Sequence, residues 1–208
     1  MKRLILLSLA LLIGSTMNGL FAQSKQLQKA RDKQAKEKIK FYEKGGWKID
    51  GSTKTLKVAL LEHYEKLNTD PNSREIVGSV TGCSSRNVCQ NQALNNAMVK
   101  YAQEASSYVR GRVTSEVGNQ AGNELDNFYS AYERLVGSKI SGELKLSLLI
   151  YKESNDGKKE YDAIYIVNEE NASKMRVKAM EDAMKESQVA QEHATKISEF
   201  VKEGFQAN

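Results

Sequence analysis

The spacing of apolar residues changes from helical to strand-like between residues 140 and 167, and this change limits the folds open to the chain. From Ile140 to Tyr151 apolar and polar residues alternate, which is the pattern of a strand with one buried face. Asn155-Asp156-Gly157 is a typical hairpin turn, and the segment 161–167 is rich in residues that favour strands. The pattern therefore predicts an antiparallel hairpin whose apolar face must be covered by other elements.

Helical patterns lie on both sides of this hairpin in the sequence. Apolar residues recur every three or four positions over 90–117 and again over 125–137, with a weak stretch at 118–122 where we expect a break. After the hairpin, Asn168 can cap a helix that we expect to run over 169–203. Such helices are long enough to cover one face of a small sheet.

Shorter elements precede the long helices. We expect a helix over 23–44 ended by Gly45-Gly46, followed by an extended turn segment at 47–51. A second helix is expected over 56–67, capped by Ser52 or Thr53. It is followed by a turn at Asp70-Pro71-Asn72 and a strand over 75–81.

The sequence therefore predicts an α+β fold with two layers. Its core is a β-α-β-β-α arrangement in which two long helices pack on a small three-stranded sheet, and an additional N-terminal helical arm precedes that core. The expected regions are a signal peptide at 1–22, a basic helical arm at 23–46 and a single domain at 47–208.

The first 22 residues have the pattern of a cleaved export signal. Lys2 and Arg3 form a positive start, residues 4–13 are apolar apart from Ser8, and a small and polar stretch ends at Ala22. The apolar run is too short to span a bilayer, and a buried N-terminal helix is the alternative. No cysteine lies near the expected cut. We therefore expect an exported protein without a lipid anchor, periplasmic or associated with the outer membrane.

Charge is distributed unevenly along the chain. Without the leader, 29 basic and 26 acidic residues give a net charge of +3, which argues against a dedicated nucleic-acid-binding protein. Residues 25–48 carry nine basic and three acidic side chains, and the rest of the mature chain is mildly acidic. This arm is a candidate binding site for lipid headgroups, lipopolysaccharide or a wall polymer, and a solvated helix docked on the domain is the alternative. The candidate residues are Lys29, Arg31, Lys33, Lys36, Lys40 and Trp47.

Cys83 and Cys89 are separated by five residues, in the loop between the expected strand and the long helix. In an oxidising compartment two such thiols can close a disulfide, with an entropic stabilisation of at most about 3 kcal/mol for so short a ring. Two free thiols are the alternative. A redox pair usually has two intervening residues, and no histidine lies nearby in sequence to complete a zinc site.

No segment carries a recognisable catalytic or cofactor motif. His63 and His193 both fall within expected helices, and we expect them to be solvated or partly packed at the surface. The stretch 78–82 lacks the Lys and Ser/Thr that complete a phosphate-binding loop. We therefore expect no enzymatic activity, no metal site and no cofactor, with an unrecognised small hydrolase as an alternative.

The segments around the expected strand resemble those of the LPP-twenty lipoprotein family. The strand 76–82 with a central glycine, the alanine-rich helix at 93–102, and the hairpin and closing helix over 140–201 are similar to that family's pattern. Lys44-Gly45-Gly46-Trp47-Lys48 and the cleavage context Phe21-Ala22-Gln23 resemble secreted members of this type found in Bacteroidetes. The resemblance implies an envelope-associated protein, with no catalytic residues to carry over.

Together these features predict a non-catalytic exported envelope protein that acts through protein–protein contact, as an accessory or assembly component. The chain lacks the lipidated cysteine of the lipoprotein members. Peripheral outer-membrane association would therefore come from an envelope protein partner or from the basic arm. A binding module for an anionic envelope ligand is the second hypothesis.

Overall fold

A computed structural model describes residues 25–83, 85–117, 125–153 and 157–204. The export signal predicted at 1–22, the helix break predicted at 118–122 and most of the predicted hairpin turn lie outside these residues. The chain divides into two compact units, Met1–Gly45 and Gly46–Asn208, which are described separately below.

In its described part the first unit consists of one helix, α1, over residues 25–44. Lys33 and Glu37 pair at four-residue spacing on its surface, with Nζ and Oε1 3.9 Å apart. The N–H of Gly45 donates to the Phe41 carbonyl at 2.9 Å, where the helix ends. The predicted helix and its glycine stop are confirmed.

The second unit combines helices with one sheet, as the predicted α+β class requires. In chain order its elements are β1 (Lys48–Ile49), α2 (Leu56–Thr69), β2 (Ser73–Thr81), α3 (Arg86–Val117), α4 (Asp126–Ile140), β3 (Lys145–Glu153), β4 (Lys159–Asn168), α5 (Glu169–Met184), α6 (Gln188–Glu192) and α7 (Ala194–Glu203).

The strands form one antiparallel sheet in the order β1-β3-β4-β2. The prediction of a three-stranded sheet is wrong, because Lys48 and Ile49 pair with Tyr151 and Ile150 as a fourth strand at the sheet edge. Two residues are too few to show a strand pattern in the sequence. The pairing with β3 gives this short segment its strand conformation.

Strand β3 is irregular at Ser147, where its register with β4 shifts between Leu146 and Leu148. The strict alternation predicted from Ile140 therefore fails. Ile140 ends α4, Leu146 is exposed, and three successive residues from Leu148 are buried. An extra residue in a strand moves the side chains that follow it to the opposite face, so the apolar alternation is lost at that point.

Different helices cover the two faces of the sheet. On one face Ile76 and Ala163 belong to the main apolar core, against which α3, α4 and α5 pack. Glu75 precedes Ile76 and so faces the other way, where it contacts His63 of α2. The prediction of two layers is therefore wrong, because α2 forms a third layer on β2 and β3. The apolar stripe of α2 predicted a helix but did not indicate which surface it covers.

The closing helix predicted over 169–203 is divided into α5, α6 and α7. Asn168 caps α5 as predicted, and its Oδ1 accepts from the backbone N–H three residues on at 3.1 Å. Ser187 caps α6 in the same way at 3.2 Å, and such a cap favours a new start over continuation of the previous helix. In α2 the cap is Thr55, three residues beyond Ser52 and two beyond Thr53, the two predicted caps.

Strand β2 and helix α3 approach each other closely at Gly78. A Cβ at Gly78 would overlap the backbone carbonyl of Ala93 in α3. Ala93 and Ala97 are fully buried at this contact. Glycine on the strand and alanine on the helix therefore set how near the two elements pack.

Replacing Gly78 with alanine should destabilise the protein by roughly 2–3 kcal/mol, because the overlap is with main-chain atoms that cannot rotate away. Urea unfolding followed by circular dichroism measures the change. Gly111→Ala, on α3 in open space, is the matched control and should stabilise by about 0.5–1 kcal/mol. Equal, small effects of the two substitutions would contradict the close approach at Gly78.

Candidate functional site

Arg176 on α5 is a buried charged residue whose partners come from two helices. Its side chain is 4% exposed, and its Nη1 donates to the Tyr101 hydroxyl on α3 and to Glu169 Oε2 at 2.5 Å. The Tyr101 hydroxyl donates to the same carboxylate oxygen at 3.1 Å. Glu169 and Arg176 are two turns apart on α5, so one face of that helix carries both charges.

A second arginine extends these contacts to the sheet. Arg74 on β2 forms an ion pair with Glu104 on α3, and its Nη1 lies 3.7 Å from Glu169 Oε1. Arg74, Tyr101, Glu104, Glu169 and Arg176 are called the arginine network below. Its two positive and two negative side chains balance, as buried charges must if they are not to destabilise the fold.

Burial and neighbouring charges decide the protonation of this network. Burial raises the pKa of the Tyr101 hydroxyl, and the nearby Arg176 opposes that shift. Burial lowers the pKa of Arg176, but Tyr101 and Glu169 outweigh it, so the pKa of the guanidinium lies above its ordinary value. Tyr101 therefore stays neutral and Arg176 stays charged near neutral pH.

The space beside Arg176 is closed. Gly204 ends α7 against the guanidinium, and a Cβ at Gly204 would overlap Arg176 Nη2. Tyr132, Phe200 and Val201 line the remaining crevice, which has no room for a ligand. The arginine network therefore joins β2, α3 and α5, and among the described residues the end of α7 packs against Arg176 and leaves no room for a ligand beside it.

His63 links α2 to two strands on the other face of the sheet. Its Nδ1 lies 2.9 Å from Ser147 Oγ on β3, and its Nε2 lies 2.9 Å from Glu75 Oε2 on β2. Because an ionised carboxylate only accepts, Nε2 is the donor to Glu75, and in the neutral ring Nδ1 accepts from the Ser147 hydroxyl. The expectation of a solvated or partly packed His63 at the surface is wrong, since the residue is 1% exposed. His193, between α6 and α7, is partly exposed as expected.

Hydrogen bonds connect Ser147 to His63 and His63 to Glu75. In a catalytic triad these three positions are held by the nucleophile, its base and the group that orients the base. Acyl transfer also needs an opening at the serine and hydrogen-bond donors for the developing oxyanion. Ser147 is half-buried at the β3 irregularity, and the Tyr64 ring lies edge-on to the imidazole at 5.0 Å. The burial of the histidine ring favours a structural link between α2 and the sheet.

Cys83 and Cys89 lie at disulfide distance, with their Cα atoms 5.4 Å apart. The pair closes the turn from β2 into α3, and α3 begins at Arg86 inside this turn, four residues before the predicted start. Arg86 Nε donates to Asp50 Oδ2 at 2.9 Å and so joins the turn to the segment after β1. The cysteine pair therefore fixes the entry into the longest helix.

A groove of about 500 Å³ opens between α3 and α4. The two helices are antiparallel, since Ser106 Oγ donates to the Tyr129 carbonyl at 3.3 Å while Gly137 faces Ala102 near the other end. Met98, Val99 and Ala102 supply its apolar side, and Val99 is 51% exposed. On α4 the lining residues are small or charged: Ser130, Glu133, Arg134, Gly137 and Ser138.

The residues predicted to bind an anionic ligand are not all brought together. Lys29, Lys33, Lys36 and Lys40 are exposed on one side of α1. Arg31 lies on the opposite side of the helix, about 170° from the centre of the lysine face at 100° per residue. Trp47 belongs to the second unit, where it is buried and Lys152 Nζ lies 4.9 Å from the centre of its ring.

The described residues hold no group of three or more His, Cys, Asp or Glu side chains arranged to bind a metal ion. None of the described helices combines the length and the apolar composition needed to cross a bilayer.

The chain matches no protein-family model, no curated protein and no solved structure.

Sequence reasoning missed the arginine network, the histidine link and the groove. The seven-residue spacing of Glu169 and Arg176 in the sequence could have predicted that both side chains lie on the same face of a helix. The partners Tyr101, Arg74 and Ser147 are distant in the chain, and no local pattern connects them.

Arg176→Met should cost about 3–5 kcal/mol of stability, because it leaves Glu169 partly buried without its closest cation. Thermal and urea unfolding measure the loss. Arg134→Met removes an exposed pair with Glu186 and should cost less than about 1 kcal/mol. Adding Glu169→Gln to Arg176→Met should restore part of the loss, and an equal cost of the two arginine substitutions would argue against the network.

Tyr129 on α4 makes the stability depend on pH in the alkaline range. The residue is fully buried, and its hydroxyl has no hydrogen-bond partner among the described residues. Burial raises the pKa of Tyr129 to about 12, although Arg110 beside it acts in the opposite direction. The unfolded chain ionises near pH 10, so this residue's contribution is fully present below pH 10 and is lost as the pH rises toward 12.

Tyr129→Phe should therefore make the fall in unfolding free energy between about pH 10 and pH 12 shallower than in the unsubstituted protein. At pH 7 the substitution should change stability by less than about 1 kcal/mol, since it removes a hydroxyl that makes no hydrogen bond within the described residues. Urea titrations at a series of pH values measure both effects. Parallel curves for the two proteins across the alkaline range would refute the assignment.

Proposed function

We propose that the chain is a secreted relative of the LPP-twenty lipoproteins and acts as an exported, non-catalytic envelope protein through protein–protein contact. The observation that carries this proposal is the groove between α3 and α4, which has an apolar side, an exposed valine and charged residues at its rim. The cysteine pair at disulfide distance is compatible with an oxidising compartment.

The groove suits an amphipathic helix of a partner protein. Ala102 and Gly137 are small, so a third helix backbone can approach the α3–α4 pair closely. Met98 is flexible and adapts its shape to an apolar side chain set between the two helices. Glu133 and Arg134 carry opposite charges at successive positions, which would favour a partner with charges of both signs beside its apolar face.

The buried polar groups of the second unit support a non-catalytic role. The arginine network is closed by Gly204, and the imidazole of His63 is enclosed. One specific observation favours the alternative of a small hydrolase. Ser147, His63 and Glu75 are connected by hydrogen bonds in the sequence nucleophile, base and orienting acid. The proposal and this alternative predict different results for two experiments.

A photo-crosslinking amino acid at position 99, introduced into the full chain in the host envelope, should capture a specific partner. The matched control is position 58 on α2, where Val58 is 45% exposed against 51% for Val99. Val99→Glu should weaken binding of the purified captured protein at least about tenfold, because it places a charge in the apolar contact. Val58→Glu should leave the affinity unchanged, and equal effects of the two substitutions would refute the groove as the contact site.

A fluorophosphonate probe tests the hydrolase alternative directly, because it modifies serines that an adjacent base activates. We expect the purified protein to remain unlabelled, with Ser147→Ala as the reference. Labelling that disappears in both Ser147→Ala and His63→Gln would overturn the non-catalytic proposal and establish an activated serine.

A further inference from the structure

Six lysines form one continuous stripe along α1. They follow each other at intervals of four, four, three, four and four residues, which keeps them within about 100° of the helix circumference. From first to last the stripe is about 28 Å long at 1.5 Å per residue. Its members, called the lysine stripe below, are Lys25, Lys29, Lys33, Lys36, Lys40 and Lys44.

All six side chains of the lysine stripe are exposed. Among the described residues, Lys33 of the stripe pairs with Glu37 at 3.9 Å, and so long and exposed a pair contributes little to stability. Because like charges at neighbouring positions of a helix repel each other, such a stripe weakens the isolated helix. An anionic ligand would relieve that repulsion.

The acidic residues of α1 leave the centre of the stripe free. Asp32 and Glu43 fall at one margin of the lysine face and Glu37 falls at the other, by the helical repeat of 100° per residue. The middle of the face is occupied by Lys29 and Lys40, with Lys33 and Lys36 on either side of them. A linear anion along the helix axis would therefore meet positive charge over the full length of α1.

The exposed apolar residues of α1 lie away from the centre of the lysine stripe. Ile39 and Tyr42 are buried and so are not available to enter a bilayer. By the helical repeat the exposed Phe41 and Leu27 lie about 110° and 150° from the centre of the lysine face, beyond Glu37. An interfacial helix instead places apolar residues between its flanking cations, so that they enter the acyl region. Because no large exposed apolar side chain in the described part of α1 falls within the arc of the lysines, the stripe favours a soluble polyanion over a bilayer.

We propose that the lysine stripe binds a linear anionic polysaccharide, laid along the helix so that successive acidic groups meet successive lysines. Lysine is a compact, flexible point charge, so the stripe recognises spacing and sign of charge and does not select one acid group by its shape. Binding releases counterions from the polymer, which makes the affinity fall with added salt. No residue of the lysine stripe lines the α3–α4 groove, and this proposal does not depend on the function proposed for the groove.

The test uses the purified full chain and immobilised polygalacturonate, a linear polymer of carboxylated sugars. Lys29→Gln/Lys40→Gln removes two charges from the centre of the stripe. Arg31→Gln/Lys38→Gln removes the same charge from the same helix but from the opposite face. Circular dichroism of all three proteins checks that the helix content is unchanged.

We expect the stripe variant to bind polygalacturonate about tenfold more weakly, with a shallower decrease of affinity between about 50 and 200 mM NaCl, and the control to change less than about twofold. Equal losses in the two variants would overturn the proposal, because net charge alone would then explain binding. So would the absence of binding by the unsubstituted protein at about 50 mM NaCl. Stripe-dependent binding to phosphatidylglycerol vesicles without binding to the polymer would refute the polysaccharide and assign the stripe to a membrane surface.

Discussion

The pairing of Arg176 with Glu169 and Tyr101 is the interaction on which the packing of the second unit depends. A guanidinium that is 4% exposed destabilises a fold unless its charge and its hydrogen bonds are satisfied. The acid comes from the first turn of α5, the hydroxyl from α3, and Gly204 at the end of α7 leaves the space that the guanidinium fills. Through Arg74 the same network reaches β2. The relative positions of three helices and one strand are therefore fixed together.

The two faces of the sheet are stabilised in different ways. The face under α3, α4 and α5 is a large apolar core, in which Gly78 and Ala93 let strand and helix approach closely. The face under α2 is smaller and includes a polar link, with His63 bonded to β2 and β3. Because Ser147 lies at the irregular position of β3, the local shift in register and the contact with α2 occur at the same residue.

The surfaces that we propose to be functional are those that this packing does not use. Arg176 and His63 are enclosed, whereas the α3–α4 pair presents an exposed valine in a groove. On α1, the lysines are exposed, whereas Ile39 and Tyr42 are buried. Both surfaces suit recognition of other molecules through shape and charge, and neither requires a catalytic group.

The sequence by itself determined the elements with long periodic patterns: the two helices before the hairpin, β2, the Asn168 cap that starts α5, the pairing of the two cysteines and the charge of the first helix. These follow from local spacing, which depends on residues a few positions apart. The tertiary structure alone decided the fourth strand at Lys48–Ile49, the third layer formed by α2, the burial of His63 and the partners of Arg176. Each of these rests on contacts between residues far apart in the chain. A two-residue strand or a buried arginine becomes stable only when distant elements supply its hydrogen bonds, and no local pattern encodes them.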